Sequence, residues 1–315
     1  MRGFGKIGML CAMLVVSALV VSSVPAAALD RSGGDFWEYD VEMSYSMLDV
    51  GLFELTGTMT HSFEETDEVT VNGTEYDVNV LNIEGSVAGS VDVLGIQTNL
   101  TITLSGSTSE TDDGIATVTD DIFMHANVTM NIGGFTMSTL MVMETSGTYS
   151  EPFLSGFEPG DTGTGDEWQE VVTETITSKM WMNSTSETPL YDMTVEDTVT
   201  YDVSVASERD EVETDAGTFN CLKMTVTADS GDYEIFWVSE KVGYIVKKET
   251  WQQGASEPSE TMVLTDYEWT NTAMMFYLYI AVGVVVLVVA VVVLAVLMRR
   301  RKAKPAVAPP PAQQT

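Results

Sequence analysis

The chain has 315 residues, 44% of them hydrophobic, and sets 47 acidic side chains against 14 basic ones for a formal net charge of −33. A polyanion of this strength repels nucleic acid and anionic lipid headgroups, which argues strongly against both as partners. Two histidines and two cysteines leave little material for a nucleophile–base pair or a soft-metal cage.

At the N-terminus Arg2 and Lys6 precede an apolar run from Ile7 to Val24 and the small residues Ala26, Ala27 and Ala28. This is the pattern of a secretory signal peptide over 1–28, cut after Ala28; an uncleaved anchor is the alternative reading of the same run. Cys11 lies inside that run behind Met9 and Leu10, without the small residue that precedes a lipid-modified cysteine.

Near the other end, 271–298 contains an uncharged apolar stretch, Ala273 to Met298, long enough to cross a hydrocarbon core of about 30 Å as a helix. Phe276, Tyr277 and Tyr279 stand at its outer end and the sequence "RRRKAK" follows it, so aromatic and positive-inside signals agree on a cytoplasmic C-terminus. The tail, 299–315, is basic and then Pro-rich, and reads as disordered. The expectation is a single-pass type I protein of the plasma membrane, its mass outside.

Removing Arg2, Lys6 and the five basic residues after the span leaves 7 cations against all 47 acids in the exported part, 7 − 47 = −40. Such a surface suits a saline or divalent-rich setting, where divalent cations gather on it weakly.

Between the ends the pattern alternates and no helical stretch stands out. In "TVTYDVSV" Val199, Tyr201, Val203 and Val205 share one face; in "NLTITL" Leu100, Ile102 and Leu104 do, leaving Asn99 on the polar side. These are antiparallel strands of an all-β ectodomain. "GDFWEYDVEM" at Gly34 and "GDEWQEVVTE" at Gly165 share Gly, Asp and Trp (Trp37, Trp168), Gly73 aligns with Gly217, and Gly114 with Gly243. The offsets of 131, 144 and 129 residues preserve the order, so the expectation is two tandem β modules, 29–156 and 157–270.

The second module also carries Trp168, "AGTFNCLKM" at Ala216 to Met224, an aromatic strand from Tyr233 to Trp237, and "VGYIVK" at Val242 to Lys247. This pattern resembles a broad family of exported β domains of unknown function in bacterial and archaeal envelopes. In the first module Glu75 and Asp77 replace the Phe and the Cys. The resemblance implies a curved antiparallel sheet, similar to the half-barrels that carry lipoproteins or lipids, or a sandwich; it implies no activity.

Candidate functional residues are few. His61 and His125 fall in the first module and Cys221 in the second, so no Cys/His or Ser/His/Asp site is indicated and the protein reads as non-enzymatic, with no cofactor motif. "DTGTGDE" at Asp161 to Glu167 has glycines at the third and fifth loop positions and Val172 at the twelfth, which fails the EF-hand pattern. "TDDG" (Thr111 to Gly114) and "TDD" (Thr119 to Asp121) suit turns as well as a hard cation. The segment "FMHANVTMNIGGFTMSTLMVME" reads as a hairpin turning at "NIGG" and pairing Met130 with Phe135, Val128 with Met137 and Met124 with Met141. Met124, Met130, Met137, Met141 and Met143 then share a buried face, as core packing, as lining for an apolar ligand, or as thioethers for copper. Sequons at Asn72, Asn99, Asn127 and Asn183 are possible glycosylation sites. Cys221 reads as an unpaired thiol on the less buried face of its strand, open to an intermolecular disulfide and next but one to Lys223. The functional expectation is a membrane-anchored extracytoplasmic binding or envelope-structural protein; the alternatives are a carrier of lipid or another hydrophobic ligand and a calcium- or copper-binding surface protein.

Self-repulsion in a −40 ectodomain weakens with screening, whose length falls from about 30 Å at 0.01 M salt to about 3 Å at 1 M. The melting temperature of residues 29–270, followed by circular dichroism, is therefore expected to rise across that range; a temperature independent of salt would remove charge repulsion as a determinant of stability.

Overall fold

The computed structural model describes residues 31–47, 51–93, 96–112, 115–132, 135–158, 161–182 and 188–269. The segment read as a signal peptide, the apolar stretch read as a span, the tail, Gly114 and Asn183 lie outside them. No helix among the described residues is long and apolar enough to cross a membrane. In chain order the strands are β1 (Phe36–Met47), β2 (Gly51–Val71), β3 (Thr74–Val93), β4 (Ile96–Thr111), β5 (Thr117–Ile132), β6 (Phe135–Phe153) and β7 (Glu167–Met182). They continue as β8 (Tyr191–Val205), β9 (Asp210–Thr214), β10 (Gly217–Ala228), β11 (Tyr233–Ser239), β12 (Tyr244–Trp251) and β13 (Glu260–Glu268).

Every pairing is antiparallel, and β1 to β8 follow one another around the sheet in sequence order. β13 returns to pair with β1 (Phe36↔Glu268 to Met43↔Glu260), and β10 pairs with β11 (Leu222↔Val238 to Thr227↔Tyr233), which closes the sheet into a barrel. β9 stands outside the ring as a short flap paired with the first residues of β10.

The two tandem half-sheets expected from the sequence are therefore the two halves of a single ring, neither separate half-barrels nor a sandwich. Residues 29–156 supply β1–β6, and 157–270 supply the other six ring strands together with β9. A six-stranded half has two unpaired edges, each a row of unsatisfied N–H and C=O groups. Here β6 of one half takes β7 of the other and β1 takes β13, so the halves remove each other's edges. The aligned glycines mark similar places: Gly34 and Gly165 precede β1 and β7, Gly73 precedes β3, and Gly217 opens β10. Asn72 and Gly73, at φ +50° and +83°, form the two-residue turn that joins β2 to β3, as the Asn-Gly dipeptide favours.

Faces follow the period of two. Inward positions hold Trp37, Tyr39 and Val41 on β1, Leu100 and Ile102 on β4, and Val203 and Val205 on β8, all buried in one core cluster. Outward positions carry Thr58, Thr60 and Ser62 on β2 and Thr101, Thr103 and Ser105 on β4. That polarity is the reverse of a membrane-spanning barrel, whose outer surface is apolar. Tight coiling of long strands needs room on the inside, and glycine supplies it on β2, β3, β4 and β6 at Gly57, Gly85, Gly106 and Gly147. A Cβ on Gly57 would stand 1.8 Å from the Ser86 carbonyl oxygen, and one on Gly106 2.0 Å from that of Asp121.

The chain enters and leaves at one pole, which also carries the 72–73 turn. At the far pole the strands are unequal in reach. β10 pairs only with Tyr201 to Val205 of β8, so residues 191–200 of β8 pair with β7 alone. The barrel is closed toward the terminal pole and flares into an open trough toward the other, floored by the inner faces of β5 to β8.

Gly57→Val is expected to lower folding stability by about 3 kcal/mol, read as a denaturation midpoint, because the clash is with backbone. Gly33→Ala, at a site with nothing within 4 Å of a new Cβ, serves as control and is expected to be neutral; equal effects would discount the close approach at Gly57.

Candidate binding lumen

The terminal pole is plugged by polar groups buried in the barrel. Arg31, in the segment leading into β1, places its guanidinium 2.8 Å from Glu110 Oε2 with no side-chain exposure, and its Cζ 4.8 Å and 5.4 Å from the rings of Tyr244 and Trp37. Tyr244 donates its hydroxyl to Glu110 Oε1 at 2.6 Å, and His61 Nδ1 lies 3.3 Å from the same hydroxyl. Trp37 donates Nε1–H to the Val242 carbonyl, and Tyr39 its hydroxyl to that of Ile245, which lock β1 to the β11–β12 turn. Burial in this plug raises the Tyr39 and Tyr244 hydroxyls well above the ordinary tyrosine range, the nearby Glu110 carboxylate adding to it. Burial lowers His61 to about 4, with Lys248 and Arg31 pushing the same way, so its ring is neutral.

Above the plug a cavity of about 740 Å³ occupies the lumen, a size typical of small-molecule sites. One wall is aromatic: Phe153 contacts Tyr149 (6.1 Å between centroids) and Tyr201 (4.8 Å). The remainder mixes apolar side chains such as Ile83, Ile115, Ile122 and Met262 with carboxylates, Asp120, Glu174, Asp197, Glu234 and Glu260 among them, and Lys248 is the one lysine or arginine there among the described residues. Lys248 Nζ is held 2.7 Å from Glu234 Oε1. Burial would lower Lys248, but Glu234 and Glu260 outweigh it and raise the ammonium above its usual value. Tyr201 donates to Glu174; desolvation and this hydrogen bond raise the Tyr201 hydroxyl, and desolvation with the Asp120 charge raises that of Tyr149.

Beyond the carboxylates the inner face turns apolar. The five methionines singled out from the sequence share it, with the pairs Met124↔Met143, Met130↔Met137 and Ala126↔Met141, two residues out of the register expected for the hairpin. They are not a sealed core: Met124, Met130, Met141 and Met143 are half-buried and Met137 is 55% exposed. Met180 and Met182 of β7 stand opposite Met143 and Met141, and Met193 of β8 stands opposite Ser178, extending the patch across four strands. Phe135, at 78% exposure, and Leu190, at 65%, fringe its open end.

The other candidates are scattered. His125 is exposed on the outer face of β5, remote in register from inward-facing His61. Asn72 sits in its turn, Asn99 and Asn127 face outward, and Asn127 Oδ1 accepts a hydrogen bond from Ser138. Asp166 accepts the Gly163 N–H at 2.6 Å and Thr162 that of Glu158, which is turn chemistry. No group of three or more His, Cys, Asp or Glu among the described residues is arranged to hold a metal ion.

Cys221 needs correction. It is fully buried, as is Phe219, because β10 changes partners at that point: residues 217–221 pair with the β9 flap and 222–228 with β8 and β11. Its thiol is pushed up to about 12, by burial first and then by Asp210, so Lys223 does not activate it. The exposure that a disulfide to a second copy requires is absent. Lys223 instead lies 3.7 Å from Asp210 and over the Trp237 ring. The residues that composition and spacing left unmarked are Arg31, Glu110 and Tyr244; the available signal was that Arg31 is the only cation between 29 and 178.

His61 takes up its proton near pH 4 in the fold and near 6.5 when unfolded, so the unfolded chain binds more protons in between and stability falls as pH drops through that window. The loss attributable to His61 is roughly 3 kcal/mol, and His61→Gln should flatten the slope between pH 6.5 and 4 in denaturant titrations. Identical slopes would show that the ring does not control it.

No family model matches the chain, and no curated protein matches it. Among solved structures, a crystal structure of a β-barrel-like protein of a domain of unknown function (DUF1849) from Brucella abortus aligns with 79% of this chain and 100% of its own, at 10% identity and a TM-score of 0.38.

Proposed function

We propose that the protein is a non-enzymatic, membrane-tethered binding barrel that acts outside the cytoplasm and takes an elongated apolar molecule against its methionine face. The observation carrying this reading is that Met137, Met182 and Met193 remain 55%, 52% and 42% exposed on an inward-facing surface, together with Phe135. Contiguous apolar exposure of this kind marks interaction sites, and unbranched thioether side chains adapt to a flexible chain better than a rigid core would. The signal segment and the apolar span near the C-terminus support the tethered placement, and the polar outer wall suits an aqueous setting.

Residues 29–270 carry the whole closed sheet and its core, so this segment is the material for the test. Native mass spectrometry of the segment exported from cells should show a bound apolar mass, and Met141→Glu with Met143→Glu should abolish it without altering the circular dichroism spectrum. A clean apo mass with no fluorescence response to acyl-chain probes would sink the carrier reading and leave a structural envelope role.

A further inference from the structure

The lumen below the methionine face carries an arrangement that core packing does not explain. Glu174 on β7 and Asp197 on β8 are direct cross-strand neighbours on the inner face, and like charges so placed destabilise a sheet. Across Tyr149, the partner of Glu174, lies Asp120, whose Oδ1 is buried with no side-chain hydrogen-bond or ion-pair partner. The space for that oxygen exists because residue 147 is glycine: a Cβ there would stand 2.1 Å from Asp120 Oδ1. Burial raises the Asp120 carboxyl; the Gly147 backbone N–H acts against this, and the Asp121 and Glu174 charges add to the rise. Lys248 is engaged by Glu234 and does not neutralise these three. The Tyr149, Phe153 and Tyr201 rings complete the wall.

Resting on the apolar-ligand reading above, we infer that the ligand carries a cationic head, an alkylammonium or other aliphatic amine, seated among Asp120, Glu174 and Asp197 against the aromatic wall. A positive head regains the ion pairs that these carboxylates lack and gains cation–π contact with Tyr149 and Tyr201. A tight metal site is disfavoured by geometry: Glu174 is committed to the Tyr201 hydroxyl, and the three acids project from three strands with no shared cage. Glu174 and Met180 are six residues apart on β7, about 20 Å along the strand. Head site and methionine face are thus within reach of one extended amphiphile.

The test is calorimetric titration of the full chain in nanodiscs, at fixed ionic strength, with hexyltrimethylammonium, hexanol and hexanoate. The ammonium is expected to bind at least tenfold more tightly than hexanol, and hexanoate more weakly than either. Asp120→Asn combined with Glu174→Gln should weaken the ammonium at least tenfold and leave hexanol unchanged. Because the acids removed repel one another, that variant should also melt no lower than the parent, which separates loss of binding from loss of fold. An exterior pair, Asp40→Asn with Glu42→Gln, controls for general attraction to an acidic protein, and a loss equal to that of the lumen pair would overturn the inference. Equal binding of all three probes would overturn it while leaving the apolar reading intact. Binding of none would remove both, and binding of the ammonium without hexanol would keep the head site and remove the apolar one.

Discussion

Closure rests on six residue pairs between β10 and β11, Leu222↔Val238 to Thr227↔Tyr233. Without that seam the sheet would end in two raw edges, the lumen would be a groove, and the Arg31–Glu110 pair would face water. A buried ion pair is tolerated only where further partners satisfy it, and Tyr244, which donates to Glu110, opens the strand next to the seam. The cations follow the same logic. In a chain with so few of them, Lys223, Lys247 and Lys248 gather on β10 and β12 over the rings of Trp237 and Phe236, where they offset Asp210, Glu249 and Glu234. The ring is joined where the polyanion is locally neutralised.

Strand periodicity made the inner faces readable from the chain alone. Leu100 and Ile102, and Val203 and Val205, point where their alternation says they should, because one buried face leaves little freedom. The same period explains why the methionine hairpin was assigned the right face with the wrong partners: a slip of two residues changes every pair and no side. What the period does not encode is partner exchange along one strand. Cys221 and Leu222 are adjacent and both buried, which alternation forbids unless the strand leaves one neighbour for another between them. Ring closure was illegible for a related reason, since two six-stranded repeats read identically as separate sheets or as halves of one.

The site was legible only as ingredients. The methionines were visible in composition, but their partial exposure depends on β10 stopping at Ala228 while β8 extends to Tyr191, a difference in reach that no local pattern announces. Asp120, Glu174 and Asp197 vanished among 47 acids, because only the strand register sets them side by side facing inward.

The pairing of Phe36 with Glu268 has a topological meaning. The junction between β13 and β1 is the equivalent, one half-turn of the ring away, of the junction between β6 and β7; the second is spanned by the covalent loop over 154–166, the first is open. The ring therefore has no intrinsic first strand. Linking residue 269 to residue 31 and opening the chain between 156 and 157 would give a circular permutant with the same neighbours around the barrel, its two halves exchanged in order.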